Sequence, residues 1–162
     1  MPKFRKRGDM SQSKPIRRVA VIGTGVIGAS WTALFLAHGL EVVATDVAPG
    51  AEAALKHFVA AAWPALQRLG LASGASQSKL TFSAALASAV KDVDLVQENG
   101  PEKIDFKRTL YRELDELLHP SVIIASSSSG LTMSDIQSAC EMHPERCVIG
   151  QPVQPAALGS LG

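Results

Sequence analysis

Three glycines and one aspartate carry the chemistry that is easiest to read from this chain. Gly23, Gly25 and Gly28 follow the apolar run Val19-Ala20-Val21-Ile22 in the pattern G-x-G-x-x-G, with Thr24, Val26 and Ile27 between them. A second apolar run, Glu41-Val42-Val43-Ala44-Thr45, ends in Asp46, 23 residues after Gly23. These residue types at this spacing can hold a dinucleotide. Gly23 allows a tight turn out of a strand, Gly25 lets backbone approach a pyrophosphate, and Gly28 lets the following helix pack closely on a sheet. The first N–H groups and positive dipole end of that helix then face the phosphates. Asp46 accepts both ribose hydroxyls of an adenosine, and its charge repels a 2′-phosphate. No Arg follows it, which favours NAD over NADP. A bare G-x-G-x-x-G also punctuates ordinary strand–turn–helix loops that bind nothing. The acid at the expected distance of roughly 20 residues separates the two readings.

The elements that must position these residues follow from periodicity and breakers. Strands are expected over residues 18–22, 41–45, 79–82, 93–97, 122–125 and 147–150. Helices are expected over 26–38, closed by Gly39, and over 84–90. An Ala-rich stretch over 49–69 reads as helix, split by Pro64 at the first turn of a second segment. Residues 102–118 read as an amphipathic helix with Ile104, Tyr111, Leu114 and Leu118 near one face, stopped by Pro120. Thr132 can cap a short helix running to Cys140. Strands alternating with helices give an α/β fold of the Rossmann type. Its doubly wound, mainly parallel sheet carries helices on both faces and takes ligand at the carboxyl ends of the strands.

Composition supports that architecture. The 162 residues are 46% hydrophobic with few aromatics, so the core is built from Val, Ile, Leu and Ala, as suits a sheet buried on both faces. The net charge of +1 hides an asymmetry. Seven of the 16 Lys and Arg but one of the 15 acids lie in residues 1–18, which leaves the remainder at −5. The positive charge therefore belongs to a leader, expected to be disordered over 1–15, and not to a folded nucleic-acid surface. No stretch reaches the roughly 18 apolar residues of a membrane span. Cys140 and Cys147 have no His or Cys spaced for a metal, and read as reduced thiols of a cytoplasmic protein. His38, His57, His119 and His143 read as helix-end or loop residues, and Trp63 as a packing anchor.

Three further segments carry a likeness. They are Val96-Gln97-Glu98-Asn99-Gly100-Pro101-Glu102, Ile123-Ile124-Ala125-Ser126-Ser127-Ser128-Ser129-Gly130-Leu131 and Pro144-Glu145-Arg146-Cys147-Val148-Ile149-Gly150. With the glycine loop, they resemble the NAD-binding domain of the 3-hydroxyacyl-CoA dehydrogenase family over nearly all of residues 16–155. The stretch 61–67 and the Gln97-Glu98-Asn99 run are most similar to the branch that oxidises the 3-hydroxyl of L-carnitine. The resemblance implies that residues 23–28 hold the pyrophosphate of NAD and Asp46 its adenosine ribose. It implies that Asn99, Glu102 and Lys107 lie at the nicotinamide half, and that Ser129 hydrogen-bonds the oxygen of a small-molecule substrate. A solvated first helical turn and a serine-rich turn remain the plain alternatives for Glu102 and Lys107 and for Ser129.

The chain departs from the family after the sixth strand. The family places a His there as general base, followed by Pro-Phe-Asn-Pro and, further on, a Glu that orients the His. Here Gln151 stands at the His position, with Val153 and Gln154 in place of Phe and Asn. A glutamine amide hydrogen-bonds an alcohol but does not remove its proton. Residues 156–162 read as an irregular tail, and the family's helical C-terminal domain is not in this sequence. The expectation is an NAD-binding domain of an oxidoreductase, inactive as it stands and open to self-association through an uncovered apolar face. The alternative is a non-catalytic NAD-binding module.

Overall fold

The computed structural model describes residues 14–151, so the leader up to residue 13, Val153, Gln154 and the tail over 156–162 lie outside the described residues. The elements run β1 (Arg18–Ile22), α1 (Val26–Ala37), β2 (Glu41–Thr45), α2 (Ala51–Leu69), β3 (Leu80–Phe82), α3 (Leu86–Ala89), β4 (Leu95–Glu98), α4 (Ile104–Leu117), β5 (Ile123–Ser126), α5 (Met133–Gln137) and β6 (Cys147–Ile149). The six strands form one sheet in the order β3-β2-β1-β4-β5-β6, and every pairing is parallel. The chain steps outward from β1 on one side and then on the other, which is the doubly wound order expected from the sequence.

Alternation along β1 divides its side chains between two cores. Val19 and Val21 face α1 and α2, where they meet Ala33, Leu36, Leu55, Val59 and Trp63. Ala20 and Ile22 face the other side, where α4, its C-cap Leu118 and α5 supply Leu110, Tyr111, Leu114, Leu118 and Ile136. Small residues at Gly28, Ala29, Thr32 and Ala33 form the buried side of α1, so its axis lies close to the sheet. Fully burying a side chain such as Leu36 or Leu114 contributes about 1.5–3 kcal/mol, which is how the sheet holds both layers.

Pro64 does not split the second helix: α2 is continuous over Ala51–Leu69 with Pro64 inside it. Leu55, Val59 and Trp63 repeat every four residues and are buried, while Pro64 is exposed. The proline forfeits one backbone bond on the solvent side, and packing of the opposite face carries the helix through. His57 accordingly sits within α2 and not near an end. Thr132 does cap α5, its hydroxyl accepting from Asp135 N at 3.2 Å, although α5 stops at Gln137.

A buried ion pair ties down the amino-terminal edge of the sheet. Arg146 Nη2 lies 2.8 Å from Asp115 Oδ1 and also donates to Asp115 O at 3.0 Å, while Nη1 donates to His119 O at 2.7 Å. Met142 N donates to Asp115 Oδ2 at 2.7 Å, so the end of α4 and the approach to β6 are locked together. Burial pushes the Asp115 carboxyl up, but these N–H donors and the guanidinium charge outweigh it and hold it below the usual range.

Candidate functional site

The carboxyl ends of the central strands are held in one row by ladder bonds that continue one residue past each strand. Gly23 N donates to Thr45 O at 2.9 Å, Asn99 N to Ile22 O at 2.8 Å, Ser127 N to Glu98 O at 2.9 Å and Gly150 N to Ser126 O at 2.8 Å. The first residue beyond each of β1, β4, β5 and β6 is thereby fixed by its neighbour strand. Of the sequence-predicted site residues, all but Lys107 lie in the loops just past these points, in the first turn of α1 (Val26, Ile27 and Gly28) or at the end of β2.

The glycine loop is shaped as a cradle. Gly23 adopts φ +81°, a left-handed conformation, and a Cβ on it would come 2.8 Å from Asn99 O. A Cβ on Gly28 would overlap the carbonyl oxygen of Gly23. Gly25 is different: nothing stands within 4 Å of where its Cβ would be. Two glycines are therefore required by the protein itself, while the third faces open space. Gly25 is also the N-cap of α1, no side chain caps this end, and the first turn holds no acid. Val26 and Ile27 are 74% and 45% exposed beside it. An uncapped helix N-terminus under an open glycine is what a diphosphate needs, so these residues fit the pyrophosphate of a dinucleotide.

Asp46 stands at the end of β2 with its carboxylate fixed on both oxygens. Oδ2 accepts from Thr24 N at 2.6 Å and from Thr24 Oγ at 3.0 Å, and Oδ1 accepts from Ala48 N at 2.9 Å. Burial raises its pKa, but the N–H donors of Thr24 and Ala48 and the Thr24 hydroxyl outweigh that and leave it below the ordinary aspartate value. The group is a permanent anion at neutral pH, suited to accept ribose hydroxyls and hostile to a phosphate.

Asn99 joins the glycine loop to the other half of the edge. Its Nδ2 lies 3.5 Å from Gly23 O and 3.4 Å from Ile22 O, and its Oδ1 accepts from Ser127 Oγ at 2.7 Å. Gln97, buried, donates to Ser127 Oγ at 2.8 Å and to Gly150 O at 3.3 Å, and Trp31 Nε1 reaches the same hydroxyl at 3.3 Å. Sequence reasoning missed Gln97, Ser127 and Trp31. A glutamine in a buried strand is the signal that could have found the first, since such an amide must be satisfied.

Glu102 and Lys107, which the resemblance places together at the nicotinamide half, point in different directions. Lys107 is 1% exposed and turned inward, where its ammonium pairs with the fully buried Glu98. On the amphipathic α4 it sits among core residues, one turn before Tyr111, so the helix phase carries it away from the open edge. Glu102 instead organises the serine turn: its Oε1 accepts from Ser128 Oγ, from Gly130 N at 2.9 Å and from Leu131 N at 3.0 Å. Burial raises the Glu102 carboxyl, and these donors, with the Lys107 charge, bring it below the usual range. Ser129 sits exposed on the turn that Glu102 holds. Gln151 closes the row, its Nε2 donating to Ser128 O at 2.7 Å.

Serine hydroxyl, amide and carboxylate at this end can bind and orient a ligand oxygen. No imidazole joins them among the described residues. His38 ends α1, and His119 and His143 precede β5 and β6, so all three lie at the opposite edge of the sheet; His57 is inside α2. Nor is any helix there long and apolar enough to cross a membrane.

Residues 18–161 match the family described as 3-hydroxyacyl-CoA dehydrogenase, NAD binding domain. The chain is 50% identical over 149 residues to an L-carnitine dehydrogenase of Streptomyces coelicolor, covering 92% of this chain and 46% of that protein. It is 48% identical over 143 residues to an L-carnitine dehydrogenase of a Pseudomonas species, covering 88% of this chain and 44% of the relative. Among solved structures, 5-formyl-3-hydroxy-2-methylpyridine 4-carboxylic acid 5-dehydrogenase, an NAD-dependent dismutase, superposes with a TM-score of 0.78 at 36% identity, over 87% of this chain and 46% of that one. The chain thus spans about half the length of these relatives.

Proposed function

The chain belongs to the 3-hydroxyacyl-CoA dehydrogenase family through its NAD-binding domain, and from that premise we propose that residues 16–155 hold NAD along the carboxyl edge of the sheet for oxidation of a secondary 3-hydroxyl, that of L-carnitine before that of a 3-hydroxyacyl-CoA. The observation that carries the reading is the pairing of an open cradle at Gly25 with a fixed anion at Asp46. The amides of residues 23–28 face the diphosphate, and Asp46 accepts the adenosine ribose hydroxyls. Asn99 lies at the nicotinamide half and is steadied by Ser127. Ser129 meets the substrate oxygen on a turn that Glu102 keeps in shape. When bound, NAD supplies the nicotinamide ring that accepts hydride from the carbinol carbon. The preference for L-carnitine rests on the curated relatives, which are about half identical over most of this chain. A cytoplasmic setting suits its two unbridged cysteines.

NADH fluorescence titration tests the binding step. Affinity in the micromolar to millimolar range with NADPH clearly weaker is the expected result. Equal affinity for the two would remove the role of Asp46.

A second reading, an NAD-binding module without turnover, has its support in Gln151, a neutral amide where the family carries its base. Replacing Gln151 with His and appending the remaining half of an L-carnitine dehydrogenase separates the two. Restored oxidation of the 3-hydroxy substrate favours the enzyme. The apolar Ile123 and Val148, 43% and 42% exposed on one side of adjacent strands, support self-association, which light scattering reads as mass rising with concentration.

A further inference from the structure

Thr24 is the one polar side chain between Gly23 and Gly28. Its backbone N–H and its hydroxyl both end on the same oxygen of Asp46, at 2.6 and 3.0 Å. The other oxygen is held by Ala48 N at 2.9 Å. The carboxylate is thus clamped between the turn after β1 and the turn after β2, with Thr24 as the side-chain jaw. Threonine is β-branched, so its χ1 is stiff and its hydroxyl is delivered at little entropic cost. A hydrogen bond to a charged group is among the stronger kinds, and this one points at the atom that has to discriminate between ligands.

We infer that Thr24 is a positioning residue for cofactor selectivity: its hydroxyl fixes the Asp46 carboxylate where a ribose diol is accepted and a 2′-phosphate is refused. The inference rests on the NAD reading given above. Without the hydroxyl, the carboxylate keeps its charge and the backbone donors Thr24 N and Ala48 N, but Oδ2 is held by one donor instead of two and its orientation loosens. The diol then loses a pre-set acceptor, and a 2′-phosphate meets less repulsion. Selectivity narrows from both sides, while the diphosphate cradle, made of backbone, is unchanged.

The test uses the full chain as wild type, Thr24→Val, Thr24→Ser and Asp46→Asn, with a Thr24→Val/Asp46→Asn double variant. Binding of NADH and NADPH is titrated for each, and circular dichroism verifies the fold. Valine is isosteric with threonine, and Thr24→Ala serves as a second deletion of the hydroxyl. The preference for NADH over NADPH is expected to shrink about tenfold in Thr24→Val, in line with one charge-assisted hydrogen bond, and to survive in Thr24→Ser. In the Asp46→Asn background, Thr24→Val should change nothing further, because the residue acts through the carboxylate. Undiminished preference in both Thr24→Val and Thr24→Ala would overturn the inference and leave the NAD reading intact. An equal loss in the Asp46→Asn background would also overturn it, by showing a role in the cradle alone. A wild-type chain that binds neither dinucleotide would overturn both.

Discussion

The Lys107 ammonium lies 2.9 and 2.8 Å from the two oxygens of Glu98, and both side chains are sealed from solvent. The same carboxylate accepts from Gly100 N at 2.6 Å and from Ser126 Oγ at 2.7 Å. One buried anion therefore joins the exit of β4, the end of β5 and the second turn of α4. It lies beneath the loops that carry Asn99, Glu102 and Ser129, so the site rests on an ion pair.

Removing one partner leaves the other charged and unsolvated in the core. Lys107→Met is expected to destabilise the fold by about 3–5 kcal/mol, a fall in Tm of about 10 °C or more. Thermal unfolding monitored by circular dichroism measures it. A Tm within 2–3 °C of wild type, about 1 kcal/mol, would mean that the pair contributes little.

The glycines of the loop should separate under substitution. Gly28→Ala puts a methyl group into the Gly23 carbonyl and forces α1 away from the sheet, so stability and NADH binding should fall together. Gly25→Ala meets nothing within 4 Å, so the fold should keep its Tm. NADH affinity should nevertheless drop at least tenfold, because the methyl group occupies the path of the diphosphate. Tm and NADH titration on the two variants check this. Unchanged affinity in Gly25→Ala would show that the open space is not where phosphate sits.

Acid should weaken the fold in a defined window. Asp46, Glu102 and Asp115 have carboxyls held below their ordinary values, and so does Asp94, whose carboxylate pairs with Lys14 Nζ at 2.7 Å and accepts from Arg17 N and Arg18 N. Each binds its proton less readily folded than unfolded. Their stabilisation is therefore fully present above the ordinary carboxylate pKa values of about 4 and is lost as pH falls through the lower folded values. Urea midpoints measured from pH 7 to pH 3 should stay level at first and then drop below about pH 4. Asp115→Asn should lower stability at pH 7 and flatten the drop, since its share no longer titrates.

The fold and the cradle were legible because they depend on local pattern. Apolar runs such as Val19–Ile22, the glycine spacing and the acid at Asp46 each carry their reason within a few residues. What escaped depends on distant partners. Lys107 has charge and spacing suited to a cofactor, and only the packing of α4 on the sheet turns it toward Glu98. Pro64 looks like a breaker in sequence, yet the buried Leu55-Val59-Trp63 stripe carries the helix past it. Glu102 reads as a first-turn acid, and its acceptance of Gly130 N and Leu131 N follows from the parallel placement of β4 beside β5.

Position 151 yields the last prediction. Gln151 donates to Ser128 O at 2.7 Å, so the amide is oriented by backbone and has one oxygen left to face a ligand. That oxygen accepts a hydrogen bond but does not titrate near neutral pH, whereas an imidazole at this place can donate to Ser128 O through one nitrogen and take a hydroxyl proton on the other. Gln151→His should therefore leave Tm unchanged and NADH affinity of this chain within about twofold, since binding does not use the base. If the general-base His that the family resemblance implies stands at this place in an L-carnitine dehydrogenase, the reciprocal His→Gln change there should lower kcat by about 10²–10⁴ and leave the KM for NAD nearly unchanged, as for loss of a general base. The pH profile of kcat should also lose its acidic limb, because the group that had to be deprotonated is gone. If that variant turned over within tenfold of its parent with the limb intact, the proton would be leaving by another route. Gln151 would then be compatible with full activity in this chain.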